Sequence, residues 1–112
     1  MKRIFYSTAK SPLIQIVDEP IDGSWIHLES PSEVELETIA EQYSLDIDLL
    51  RDGVDPNESP RIERDGDAVY IYTRFCLPEA EKMTTAPLLI MHGKGIVLTI
   101  SQRQFSYVDQ LI

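Results

Sequence analysis

The chain is 112 residues long, 43% apolar and strongly acidic, with 19 Asp and Glu against 10 Lys and Arg for a net charge of −9. That length suits one domain and is too short for two, and the lone cysteine, Cys76, excludes an internal disulfide or a cysteine-built zinc site. Clustered Lys and Arg, which nucleic-acid phosphates require, are missing, and the longest run free of polar side chains, Ala86 to Met91, falls far short of the roughly 20 residues of a membrane helix.

Two short apolar segments open the chain, Arg3 to Tyr6 and Leu13 to Val17, with Thr8 to Pro12 between them as a turn or loop. Asp22-Gly23-Ser24 is a second turn, and Trp25, Ile26 and Leu28 then make a short strand. The best-marked element follows. Ser32 caps a helix with Glu35 at the capping-box spacing, and Leu36, Ile39, Ala40 and Tyr43 form one apolar stripe at i, i+3, i+4 and i+7. Trp25 is expected to be largely buried between sheet and helix, against that stripe. His27, on the opposite strand face from Ile26 and Leu28, reads as a surface or partly packed histidine. Glu33, Glu37 and Glu41 repeat every four residues and read as a solvated ridge.

Ser44 to Asp52 reads as a shorter helix carrying Leu45, Leu49 and Leu50, capped by Asp46 or Ser44 and ended by Gly53. Asp55 to Pro60 holds two prolines and no helix can cross it. The second half reads mainly as sheet. Arg61 to Arg64 is a short edge strand turning at Asp65-Gly66. Ala68 to Leu77 alternates, with Val69, Ile71, Thr73, Phe75 and Leu77 on one side and Tyr70, Tyr72 and Arg74 on the other. Ala86 to His92 and Ile96 to Ile100 form a hairpin around Gly93-Lys94-Gly95. Phe105, Val108 and Leu111 or Ile112 begin an apolar helical stripe that stops unfinished, as in a fragment of something longer or an ordinary terminal helix of two turns. Strands, two helices and a run of strands predict an α/β or α+β domain: a mixed central sheet of about six or seven strands with helices packed on it.

No catalytic set stands out. There is no phosphate loop, dinucleotide turn, His-Glu-x-x-His or nucleophile elbow, so no enzyme is expected. Cys76 and His92 read as structural or surface residues. The charge is concentrated: Asp18 to Glu58 holds 13 acids and one base, Arg51. Such a field attracts cations or a basic partner, though its plainer meaning is a solvated skin. Within it, Asp46, Asp48, Asp52, Asp55 and Glu58 invite a metal test. Apolar residues and Arg51 occupy positions a Ca2+ loop needs polar, which excludes an EF-hand. A hydrated Mg2+ needs only one or two of these carboxylates, weakly in one domain and more strongly when a second surface shares it.

The order Gly23-Ser24-Trp25-Ile26-His27-Leu28, Pro31 with Glu33 to Glu41, Leu45 to Asp52, Pro60-Arg61-Ile62-Glu63, Val69 to Phe75 and Ile96 to Ser101 resembles the N-terminal cytoplasmic domain of CorA-type magnesium and cobalt transporters. The resemblance runs from about residue 4 to the end. It implies an α/β/α sandwich spanning residues 1–112 as a single domain on the cytoplasmic side of the membrane. It also implies a homopentameric transporter whose membrane helices and Gly-Met-Asn tripeptide are absent here. On that footing the chain is a soluble regulatory or scaffold module for divalent cations, Mg2+ or Co2+, sensing intracellular Mg2+ and contributing to gating. It makes no membrane insertion of its own, and its partners are the other subunits. The resemblance places Asp52 at the family's regulatory Mg2+ position between subunits. Two departures weaken that half-site: Arg51 stands where the family often has an acid and opposes a cation, and Gly53 replaces a larger apolar residue. The alternative function is a free-standing acidic domain that binds a protein partner. Two apolar stretches of about 20 residues downstream in the gene would favour the transporter.

Overall fold

A computed structural model of the chain describes residues 1–7, 14–104 and 107–111. The strands are β1 (Lys2–Tyr6), β2 (Gln15–Ile16), β3 (Ser24–Glu29), β4 (Arg61–Asp65), β5 (Ala68–Glu79), β6 (Lys82–Gly93) and β7 (Ile96–Ser101). They form one sheet in the order β2-β1-β3-β7-β6-β5-β4. β3 and β7 run parallel at its centre and every other neighbour pair is antiparallel. The helices are α1 (Glu33–Tyr43), α2 (Ile47–Asp52) and α3 (Tyr107–Leu111). This is the mixed α+β sheet the sequence predicts. Phe105, Ile112 and the segment from Thr8 to Leu13 lie outside the described residues.

Local chemistry sets α1. Ser32 Oγ accepts from the Glu35 N–H and Glu35 Oε1 accepts from the Ser32 N–H, both at 3.1 Å, completing the capping box. Leu36, Ile39 and Ala40 are buried on the sheet and Tyr43 is half-buried at the edge of the same cluster. Ser44, in the left-handed conformation with φ 54°, ends α1 and so belongs to the first helix. Asp46 caps the second, its Oδ1 accepting from the Asp48 N–H at 2.9 Å. Gly53 ends α2 at φ −66°, so no left-handed turn requires it. What requires it is space: a Cβ there would lie 2.6 Å from Leu89 Cδ2 and 2.8 Å from Leu89 Cβ.

α1 and α2 cover one sheet face. Beneath them lie Ile26, Leu28, Tyr70, Tyr72, Leu89, Met91, Leu98 and Ile100, with Leu50 reaching down from α2. β5 alternates as predicted, and its tyrosine side is the one that faces the helices. The opposite face carries a row set by strand register: Ile62, Ile71, Ile90, Thr99, His27 and Arg3. Ile62 is 67% exposed and Ile71 37% at one end of that row.

Two expectations fail on this face. Trp25 does not meet the α1 stripe. It is half-buried on the other side, its ring 4.7 Å from that of Phe5 and its Nε1 donating to Thr99 Oγ1 at 2.8 Å. Its strand neighbours Ile26 and Leu28 take the helix side, and alternation sends Trp25 away. His27 is completely buried. Its cross-strand partner Arg3 donates to Asp109 of α3 at 2.8 Å, which ties α3, with its fully buried Val108, to this face. β5 and β6 are also longer than predicted, β5 running to Glu79 rather than Leu77 and β6 starting at Lys82 rather than Ala86, and they pair as a hairpin that the sequence reading did not include.

Candidate metal centre

Asp52 is the last residue of α2, and a loop that turns back through Pro56 and Pro60 brings the first residue of β4 to it. Arg61 Nη2 donates to Asp52 Oδ2 at 2.9 Å. The same guanidinium donates through Nη1 to Glu58 and through Nε to Glu63 Oε1 at 3.1 Å. Its carbon lies 4.0 Å from the centre of the Tyr72 ring, the residue paired with Arg61 across the sheet. Tyr72 in turn donates to the Leu49 carbonyl at 2.6 Å, tying β5 to α2. Burial pushes the Tyr72 phenol up, against the adjacent Arg61 charge and with that of Asp52, so it stays a neutral donor. Burial disfavours the Arg61 charge, but its bonds to Glu63 and Asp52 and the Glu58 charge outweigh this and raise its pKa.

The acids singled out in the sequence separate into distinct duties. Asp46 caps α2, Asp55 Oδ1 accepts from the Asn57 N–H at 2.9 Å, and Asp48 pairs with Arg51 at 3.1 Å. Only Asp52 and Glu58 come together, and Glu63 joins them from β4. Arg51 does not face Asp52. It is turned to α1, where Nε donates to Glu33 Oε1 at 2.8 Å, and it links the two helices. Glu33 is therefore one end of an interhelical ion pair as well as part of an exposed ridge.

The carboxylates of Asp52, Glu58 and Glu63 are hard oxygen donors of the type Mg2+ takes, and they already converge on a positive group. Among the described residues, no three His, Cys, Asp or Glu side chains stand close enough to hold one ion. The chemistry fits Mg2+, which keeps most of its waters and takes one or two carboxylates from a single chain, a partial and weak shell. Arg61 and Glu63 are the site residues that sequence reasoning missed. Their signal was present in Arg61-Ile62-Glu63, where alternation puts both charged groups on the face opposite Ile62.

A family model described as CorA-like Mg2+ transporter protein matches residues 22–112, from the turn before β3 through the whole Asp52–Arg61 cluster. The cobalt/magnesium transport protein CorA of Methanocaldococcus jannaschii is 30% identical over 87 residues, which is 78% of this chain and 27% of that protein. The complete CorA magnesium transporter of that organism superimposes with a TM-score of 0.81 at 23% identity, over 99% of this chain and 35% of its own. The soluble domain of the same CorA gives 0.81 at 25% identity, over 99% of this chain and 44% of its own. The full-length CmaX protein shares the fold at a TM-score of 0.61 and 12% identity, over 98% of this chain and 36% of its own. The chain thus spans less than half the length of each of these proteins, and none of its described helices is long and apolar enough to cross a membrane. With its capping box, strands β3 to β7 and α2–β4 cluster inside the matched span, the chain belongs to the CorA-like Mg2+ transporter family.

Proposed function

We propose that this chain is the N-terminal cytoplasmic domain of a CorA-like divalent cation transporter for Mg2+ or Co2+, and that it senses intracellular Mg2+ and contributes to gating. The observation that carries this is the match of nearly the whole fold to the soluble domain of an archaeal CorA, at a TM-score of 0.81. The cation crosses the membrane elsewhere in the full protein, and this module acts by binding its counterparts in a homopentamer. Electrostatics supply the mechanism. Each copy carries a net charge of −9, and like-charged faces brought together repel. A Mg2+ held between two subunits offsets that repulsion, and its loss lets them separate.

Asp52 is this chain's ligand in that scheme. It supports the role by its chemistry, by its half-exposed place at the end of α2 and by the incomplete shell around it. Binding by one chain alone is weak, roughly millimolar, and falls with monovalent salt, because one carboxylate in a diffuse acidic field is easily screened. The test is limited proteolysis of the full-length transporter against Mg2+ concentration. Asp52→Ala should move the protection curve of this domain to higher Mg2+. An unchanged curve refutes the role of Asp52.

A further inference from the structure

Asp52 already holds a cation, and that cation belongs to the chain. Arg61 spends its three nitrogens on three different carboxylates, Asp52, Glu58 and Glu63, and stacks on Tyr72. One positive charge against three negative leaves the cluster short of neutral, so it still attracts a cation, yet Asp52 Oδ2 is occupied by the Arg61 N–H. A metal ion that takes this oxygen has to displace a charge-assisted hydrogen bond held by a rigid, four-way anchored guanidinium. Arg51, next to Asp52 in sequence, offers no such competition because Glu33 and Asp48 hold it.

We propose that Arg61 is a built-in counter-cation of this site, which competes with the divalent ion for Asp52 and keeps the affinity of a single chain low. The inference rests on Asp52 being a metal ligand. Its consequence is that the ion is held only where a neighbouring subunit adds enough negative charge to outcompete Arg61. Mg2+ occupancy then reports assembly and concentration together.

The experiment is an NMR titration of this chain with MgCl2 at constant ionic strength, following the backbone amides of residues 47–63. Arg61→Met keeps a chain able to pack on Tyr72 and removes the charge. It should tighten Mg2+ binding about tenfold, the worth of one charge-assisted hydrogen bond. Arg51→Met removes the same charge one residue from Asp52 and should change the affinity less than twofold. Adding Asp52→Asn to Arg61→Met should abolish the gain. An Arg61→Met affinity equal to the parent's overturns the inference, as does an equal gain from Arg51→Met, which would make the effect one of net charge. With the Asp52→Ala proteolysis effect intact, either result leaves Asp52 as a ligand and removes only Arg61. A gain that survives Asp52→Asn puts the ion elsewhere and overturns the Asp52 reading along with this one. Should Arg61→Met fail to fold, Arg61→Lys decides: it keeps a charge without the planar fork and should tighten binding about threefold, and no gain overturns the inference.

Discussion

Lowering the pH should destabilise this domain through one buried histidine. His27 has no exposed surface. Its Nδ1 lies 2.7 Å from Thr99 Oγ1, and that oxygen also accepts the indole N–H of Trp25. The Thr99 hydroxyl proton is then available to Nδ1, an arrangement suited to the neutral imidazole. Burial lowers the His27 pKa to about 4; Glu29, 4.0 Å from Nε2, pulls it upward, Arg3 and the N-terminal ammonium push it further down, and Asp109 opposes them. The unfolded imidazole titrates near 6.5. Between those values the unfolded chain binds a proton that the folded chain refuses. The stabilisation is therefore complete above pH 6.5 and is lost as the pH falls towards 4. Linkage over that gap amounts to about 2 kcal/mol at pH 5 and about 3 kcal/mol at pH 4. Carboxylates also titrate at the acid end, so the measurement is a comparison. Urea melts at pH 7.5 and 5.0 should show the parent losing about 2 kcal/mol more than His27→Gln. Equal losses, or an imidazole NMR titration centred near 6.5, would refute the reasoning.

Two further outcomes concern the frame around the site. Ser32→Ala removes the acceptor for the Glu35 N–H and should cost about 1 kcal/mol in denaturant melts; a loss under a few tenths would show that the cap adds nothing. Gly53→Ala drives a methyl into Leu89 at the end of α2 and should cost about 1–3 kcal/mol, with Leu89→Ala recovering part of it in the double variant. A neutral Gly53→Ala would mean that α2 shifts freely on the sheet.

What could be read from the sequence was whatever short-range chemistry decides. The capping box and the stripe of Leu36, Ile39 and Ala40 announce α1 without help from the rest of the fold. The glycine turns at Gly66 and Gly93–Gly95 announce the hairpins of β4 with β5 and of β6 with β7. Which face of the sheet a residue joins is a different kind of fact. Alternation says that Trp25 and His27 share a side opposite Ile26 and Leu28. It does not say which side α1 will cover, or that α3, some 80 residues later, will be tied to the other through Arg3. Size points Trp25 to the helix layer, and the strand face opposite Ile26 and Leu28 makes His27 read as surface or partly packed. Thr99 and Arg3, which meet them from β7 and β1, are invisible at the range of a sequence window.

The candidate site divides the same way. Asp52 was reached through family resemblance, and the acid-rich segment around it looked like one cluster because its members are near in sequence. Folding disperses them, since a helix turns about 100° per residue and consecutive side chains point in different directions. That is why Arg51, expected to repel a cation from its neighbour, instead spans to Glu33 on α1. It is also why the charge that does confront Asp52 comes from nine residues away, across a loop whose path no local rule specifies. The pair of prolines marks that the chain turns there, and only the sheet register, which sets Arg61 opposite Tyr72, fixes where it lands. The positive charge that holds Asp52 is thus supplied by tertiary structure, and a substitution scan guided by sequence proximity would test Arg51 and miss Arg61.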